Sequence, residues 1–314
     1  MSARPAILVT GADLAPQALA LLTGFEIVYA GKAPDEAALV ALCRRHQPVA
    51  LLVRYGRITR VVIEACTRLA VISKHGAGID TIDTVAAKEH GIAVKAAVGA
   101  NAAAVAEHAV ALILACAKSI VPLDARMRAG HWDKATHKSF ELNGKTLGLI
   151  GFGAIGRRTA EICRAMGMEI LVHDPYVTKA PEGARLVSLA DVFARADVLS
   201  LHCPLTADNR HLINADSLVQ MKDGAILVNT ARGGLIDDDA LIAALASGKL
   251  RAAGLDSFQT EPLVGEHHWR DIPNVVLSPH IGGVTADAYV AMGVGAASNI
   301  LDVLAHSNTT SAVA

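Results

Sequence analysis

Gly151-Phe152-Gly153-Ala154-Ile155-Gly156 is the stretch that decides how this 314-residue chain is read. An apolar run, Thr146-Leu147-Gly148-Leu149-Ile150, leads into it, and a helix-compatible stretch, Ala154–Met166, follows. A second strand-like run, Glu169–His173, ends at Asp174. Strand, G-x-G-x-x-G turn, helix and strand is the pattern of a dinucleotide-binding βαβ unit. The first glycine permits the tight turn, the second lets the backbone approach a pyrophosphate, and the third lets helix and strand pack closely. Ala154 and Ile155 supply amides at the helix start, where the helix dipole favours an anion. Asp174 stands 18 positions past Gly156, close to the roughly 20 expected of the acid in this fingerprint. An acid there binds ribose hydroxyls and repels a 2′-phosphate, so the expected cofactor is NAD rather than NADP.

Outward from the turn, strand and helix alternate over most of the chain. The expected strands are Ile7–Val9, Ile27–Tyr29, Ala50–Val53, Ala70–Ser73 and Ile92–Val94, then Thr146–Ile150, Glu169–His173, Val198–His202, Ala225–Asn229, Ala252–Leu255 and Val275–Leu277. Helical patterns include Pro34–Arg45, Thr84–His90 after the capping candidate Asp83, and Asp237–Ser247 with its acidic first turn. Asn101–Ser119, with Asn101 as its N-cap, is apolar nearly all round, as helices buried between domains or subunits are. Thr285–Ala305 reads as a last helix that returns to pack on the N-terminal region, and Ser307–Ala314 as a frayed tail. The fold class is therefore α/β, with two doubly wound parallel-sheet (Rossmann-like) domains. The first is discontinuous, residues 1–98 plus 285–314, and is the expected substrate domain. The second, 99–284, is the expected NAD-binding domain with a dimerisation helix and loop.

Composition agrees with layered α/β and narrows the partners. The chain is 52% hydrophobic but 4% aromatic, so its core is aliphatic. Lys plus Arg number 29 against 30 Asp plus Glu, and no nucleic-acid or membrane partner is expected. The start lacks a secretory apolar region, and the run Ala109–Ala117 is too short to span a bilayer. Five scattered cysteines, Cys43, Cys66, Cys116, Cys163 and Cys203, read as buried or free thiols in a reducing compartment, the cytoplasm. Cys203 is set aside as a catalytic thiol. His267-His268 invites a metal reading, but adjacent histidines on one loop rarely face one ion, so no metal is expected.

Beyond the fingerprint, Arg232, Glu261 and His280 each follow a strand, at the edge where open α/β sheets bind ligands. Histidine suits proton transfer near neutral pH, and a carboxylate on its far nitrogen fixes the tautomer and stabilises the imidazolium. Arginine offers a planar fork to a carboxylate and a charge for a developing alkoxide. Taken singly, each also fits a bland role: a surface ion pair for Arg232, a turn acid for Glu261, a capping or core residue for His280. Their joint placement argues for the set.

With these residues the sequence resembles the D-isomer-specific 2-hydroxyacid dehydrogenase family, and within it the phosphoglycerate dehydrogenase-like branch. The matching stretches are Lys74–Asp80, Asn101–His108, Glu141–Thr146, the fingerprint, His202-Cys203-Pro204-Leu205-Thr206, Asn229–Gly234 and Pro279–Gly283. The resemblance implies catalytic Arg232, Glu261 and His280. It implies NAD on Gly151, Gly153, Ala154, Ile155, Gly156 and Asp174, lined by Cys203, Pro204, Thr206, Thr230, Ala231, His280 and Gly282, with Asp256 near the nicotinamide amide. The substrate, a small 2-keto or 2-hydroxy acid, would meet Arg54, Lys74, Arg232 and His280, with backbone amides around Ala77 and Gly78 on its carboxylate. A homodimer or homotetramer is implied, with the Asn101–Ser119 helix at the interface.

Departures from the branch shape the expected substrate. The chain ends after the returning helix, so feedback by serine through a further domain is not expected. Arg54 matches a substrate-binding arginine, and Lys74 stands where the branch often has arginine. With Lys134 or Lys138 they would hold a phosphate or sulfonate, unless these lysines are solvated surface charges. Tyr55 and His75 would narrow the pocket for a smaller acid. Hydroxypyruvate, glyoxylate and 3-phosphoglycerate type substrates all fit. Formate dehydrogenases of the superfamily pair their histidine with glutamine, which Glu261 disfavours. The alternative of another class is an NAD(H)-binding sensor or corepressor-like protein without turnover.

Overall fold

The structure is a computed structural model that describes residues 4–180 and 182–310. The first three residues and the end of the expected frayed tail, 311–314, lie outside them, as do the side chains of 307–310. The chain forms two compact units, Met1–Asn101 with Val284–Ala314, and Ala102–Gly283.

The first unit is built on a parallel sheet of β1 (Ala6–Val9), β2 (Glu26–Tyr29), β3 (Ala50–Val53), β4 (Val71–Lys74) and β5 (Ala93–Ala96), in the order β2-β1-β3-β4-β5. Strands β1 and β3 are buried along their whole length, as central parallel strands covered on both faces must be. The last strand starts one residue later than its apolar run suggests. The Ile92 amide is already bound to the Ala87 carbonyl that ends the preceding helix. That helix, Thr84–Glu89, is capped by Asp83 as expected. Within the returning helix, Ala286–Thr310, the stretch Ala286–His306 is long and apolar enough to cross a membrane by length and composition. It instead lays Ala296, Ala297 and Ile300 into the core with Ile7, Val9, Leu52 and Val71.

The second unit carries seven parallel strands: β6 (Thr146–Ile150), β7 (Glu169–His173), β8 (Ala184–Leu186), β9 (Val198–Leu201), β10 (Ala225–Asn229), β11 (Leu250–Leu255) and β12 (Val275–Leu277), in the order β12-β11-β10-β9-β6-β7-β8. Growth of the sheet reverses between β6 and β9. The helix Ala102–Lys118 packs on β10 and β11, with Leu112 and Cys116 against Gly254. Ala109, Val110, Leu112, Ile113, Cys116 and Ala117 of this helix join the core of the second unit, while Ala103 and Ala111 stay exposed. Asn101 does not cap it, since its side-chain oxygen is buried without a hydrogen bond among the described residues. A further helix that the sequence reading did not foresee, Ile120–Arg128, follows a left-handed Ser119 and buries none of its side chains.

Candidate functional site

The fingerprint turn leaves β6 at the reversal of the sheet, where open α/β sheets bind ligands. Its glycines are demanded by their surroundings. A Cβ on Gly151, whose φ is 94°, would stand 2.6 Å from the Cys203 amide nitrogen. One on Gly156 would stand 2.4 Å from the Gly151 carbonyl oxygen. A Cβ on Gly153 would meet nothing within 4 Å. That open space lies at the start of the helix Ala154–Ala165, which has no side-chain cap. Asp174 is locked to the same turn: one carboxylate oxygen accepts from the Phe152 amide at 2.7 Å, the other from Tyr176 at 2.9 Å. A glycine cradle, an uncapped helix start and a fixed acid together fit the pyrophosphate and ribose of a dinucleotide. Replacing Asp174 with serine is expected to relax discrimination against NADP by roughly 1–3 kcal/mol, the scale of a charge-assisted contact. The ratio of kcat/KM for NADH and NADPH measures it, and an unmoved ratio would place selection elsewhere.

The other expected cofactor residues stand on loops after β9, β10, β11 and β12. Burial pushes the Cys203 thiol up to about 11, which removes it as a nucleophile at neutral pH. Asn209 fixes the Pro204–Thr206 segment through the Pro204 carbonyl and the Thr206 amide. Thr230 and Ala231 are buried, and Asn229 holds both the Ala231 amide and the Arg232 carbonyl. A Cβ on Gly233 would lie 1.9 Å from the Phe258 carbonyl carbon, so the Arg232 loop rests directly on the backbone that leads to Glu261.

His280 and Glu261 come together. His280 Nδ1 lies 2.8 Å from Glu261 Oε2, and the other Glu261 oxygen accepts from the Phe258 amide at 2.9 Å. The hydrogen bond to Glu261 raises the His280 pKa above its ordinary value. Burial opposes this rise, and the Glu261 and Asp256 charges reinforce it. Burial works against the Glu261 charge, but the bonds from His280 and Phe258, with the His280 and Arg232 charges, hold its carboxyl below the usual range. Arg232 gives NH1 to the Ala231 carbonyl at 2.8 Å, and its charge reaches both members of the pair.

Asp256 lies beneath this pair, 2% exposed in its side chain. Its carboxylate accepts from the Ile281 amide at 2.9 Å, the Gly282 amide at 2.8 Å and the Ser278 hydroxyl at 2.6 Å. It thereby anchors the loop that holds His280 at φ 54°. His108 completes the network, with Nε2 at 2.8 Å from Ser278 Oγ and 3.3 Å from Asp256 Oδ1. The sequence reading placed Asp256 with the cofactor but missed this anchoring, and missed His108 and Ser278. Only the setting of His108 on a mostly apolar helix, beside Glu107, hinted at a polar partner.

In the first unit, Arg54 and Lys74 also meet, Lys74 Nζ donating to the Arg54 carbonyl at 3.2 Å. Arg54 itself is bound to Asp13 through both the carbonyl and the carboxylate, and packs by Tyr55 and Tyr289. Ala77 is exposed and Gly78 half-buried in the loop that leaves β4. Lys134 and Lys138 are exposed in a loop of the second unit. His268 pairs with Asp238 at 3.0 Å, and its neighbour Trp269 is core.

Known proteins resemble this chain over most of its length. Residues 110–282 match the family model "D-isomer specific 2-hydroxyacid dehydrogenase, NAD binding domain". The chain is 45% identical to a hydroxypyruvate reductase of Thermotoga maritima over 240 residues, 76% of this chain and 78% of that protein. It is 43% identical to a D-3-phosphoglycerate dehydrogenase of Methanocaldococcus jannaschii over 81% of this chain and 49% of that one. The chain thus spans about half the length of the curated phosphoglycerate dehydrogenases it matches. Among solved structures, a glyoxylate reductase from Paecilomyes thermophila superposes with a TM-score of 0.86 at 34% identity, covering 97% of this chain and 96% of that one. The chain belongs to the D-isomer specific 2-hydroxyacid dehydrogenases, NAD-dependent enzymes that interconvert 2-hydroxy and 2-keto acids.

Proposed function

We propose that this protein reduces a small 2-keto acid to its 2-hydroxy acid, with His280 as the acid, Glu261 as its partner and Arg232 as the substrate clamp. The single observation that carries this reading is the 2.8 Å contact of His280 Nδ1 with Glu261, within reach of the Arg232 charge. The second unit holds NAD on Gly151, Gly153, Gly156 and Asp174, and NAD supplies the hydride when bound. The first unit recognises the acid through Arg54, Lys74 and the Ala77–Gly78 backbone.

The chain's own groups account for the rest. Glu261 binds Nδ1, so the proton stays there and Nε2 is the atom that gives its proton to the carbonyl oxygen. Arg232 presents a planar fork to the substrate carboxylate and stabilises negative charge growing on the same oxygen. Asp256 holds the Ile281 and Gly282 amides, so the imidazole returns to one position after each turnover.

The exposed side chains Ile120, Val121, Met127 and Trp132, the last 75% exposed, are read as the face on which a second copy docks. Free cysteines throughout fit a reducing compartment, the cytoplasm.

The test is NADH oxidation with hydroxypyruvate, glyoxylate, pyruvate and phosphohydroxypyruvate, followed over pH in the wild type and in Glu261→Gln. Reduction needs the imidazolium. A raised His280 pKa keeps that form to higher pH, and reduction is lost as pH rises through it. Glu261→Gln removes the main cause of the rise, so the alkaline limb is expected to move to lower pH. The reverse reaction needs neutral imidazole, so its acid limb sits at the same pKa and should also move to lower pH. NADH binding without turnover of any acid would favour the sensor reading instead.

A further inference from the structure

The sheet of the first unit reverses its growth between β1 and β3, and the carboxyl ends of these strands carry Asp13 and Arg54. A closed set of side chains sits there. Arg54 gives NH1 to the Asp13 carbonyl at 2.7 Å and to the Asp13 carboxylate. Its stem lies on Gly11, where a Cβ would come 3.0 Å from Arg54 Cδ. The guanidinium carbon is 4.9 Å from the centre of the Tyr289 ring and 5.2 Å from that of Tyr55. Tyr289 donates its hydroxyl to the same Asp13 oxygen at 2.8 Å. The Thr10 hydroxyl accepts from the Arg54 and Tyr55 amides and donates to the Tyr55 carbonyl, which fixes the loop behind them. The Arg54 side chain is 12% exposed and that of Asp13 68%, so this edge shows solvent a carboxylate rather than a guanidinium.

We propose that Asp13 is a specificity-determining residue. It holds Arg54 back from the substrate tail, and so favours 2-keto acids with an uncharged tail over those carrying a phosphate or sulfonate. The inference rests on the reading of the chain as a 2-keto acid reductase. A phosphate tail bears close to two negative charges and is gripped best by a bidentate guanidinium. Here both N–H groups of NH1 are directed at Asp13. A dianion approaching the remaining donors meets the Asp13 charge. The hydrogen bonds from Tyr289 and Arg54 hold the Asp13 carboxyl below its usual range, so that charge persists. His75 does not offset it, because burial and the Arg54 charge push its imidazole down to about 4. A hydroxyl tail can donate to or accept from this polar rim without opposing a charge. Asp13 thus acts through Arg54, as a positioning residue.

The experiment compares hydroxypyruvate with phosphohydroxypyruvate in the wild type, Asp13→Asn and Asp13→Glu. It is paired with titration calorimetry of 3-phosphoglycerate against each protein. The wild type is expected to prefer hydroxypyruvate in kcat/KM by about tenfold or more. In Asp13→Asn the ratio of the two KM values should shift toward the phosphorylated acid by about tenfold or more, with kcat little involved. Asp13→Glu should restore the wild-type ratio. A merely structural role would move both KM values together and leave the ratio alone. A wild type that prefers the phosphorylated acid, or an unmoved ratio in Asp13→Asn, overturns the proposal. If no protein turns over either acid, the reductase reading falls and calorimetry decides: about tenfold tighter 3-phosphoglycerate binding in Asp13→Asn sustains the role of Asp13, and equal binding ends it.

Discussion

His280→Gln is expected to lower kcat for 2-keto acid reduction by about 10²–10⁴-fold, the usual contribution of a positioned general acid, while NADH still binds. Glutamine can keep a hydrogen bond to Glu261 but has no proton to give near neutral pH. The backbone complicates this variant. His280 sits at φ 54°, a region where histidine, asparagine and aspartate are tolerated better than most residues. His280→Asn is therefore the companion, since it suits the backbone and equally lacks a titratable proton. If both variants lose turnover and keep NADH fluorescence quenching, the loss belongs to the proton. If Asn retains near-normal turnover, His280 is not the acid and the Glu261 pair is structural. The pH profile separates the cases further, because the limb assigned to the imidazolium should vanish in both variants.

The sequence made the fingerprint legible because steric demand left glycine alone at Gly151 and Gly156, and because Asp174 must reach the same turn. Arg232, Glu261 and His280 were legible as residues that follow strands, and the last two do pair. What was not legible depends on contacts remote in sequence. His108 reaches Ser278 across 170 positions, and Tyr289 reaches Asp13 across 276. No local pattern announces such pairs. Strand β8 escaped notice because it has three residues, carries Arg185 at its centre and is defined only by its pairing to β7. The helix Ile120–Arg128 was hidden by Ser119, whose φ of 53° breaks the direction of the preceding helix by 59°. A serine gives no sign that it will adopt a left-handed conformation. The Asn101–Ser119 helix was placed to within a residue at each end, and much of its apolar surface packs on β10, β11 and the helix Ala154–Ala165.

Gly233→Ala is expected to be the most damaging single-methyl change in the site. The added Cβ would lie 1.9 Å from the Phe258 carbonyl carbon, 2.2 Å from its oxygen and 2.3 Å from the Gln259 nitrogen. All three are backbone atoms, so no rotamer change relieves the contact, and the loops must part. Arg232 is the neighbour on one side, and Glu261 lies three residues past Phe258 on the other. Forced overpacking of this kind costs typically about 1–3 kcal/mol of stability and sometimes more. Displacing a catalytic constellation by about 1 Å costs on the order of 10²-fold in rate. Thermal unfolding and steady-state kinetics should therefore both show the loss. Two further alanines give the comparison. Gly24→Ala, with nothing within 4 Å of its Cβ, should leave both readouts unmoved. Gly153→Ala also meets no protein atom and has an ordinary φ of −74°, so the fold should survive it. Its methyl would instead stand in the space assigned to the pyrophosphate, and the NADH dissociation constant should rise by about tenfold or more. If Gly153→Ala bound NADH as the wild type does, the dinucleotide would not lie on that turn. If Gly233→Ala kept its activity, the contact between the two loops would not be what positions Arg232 beside Glu261.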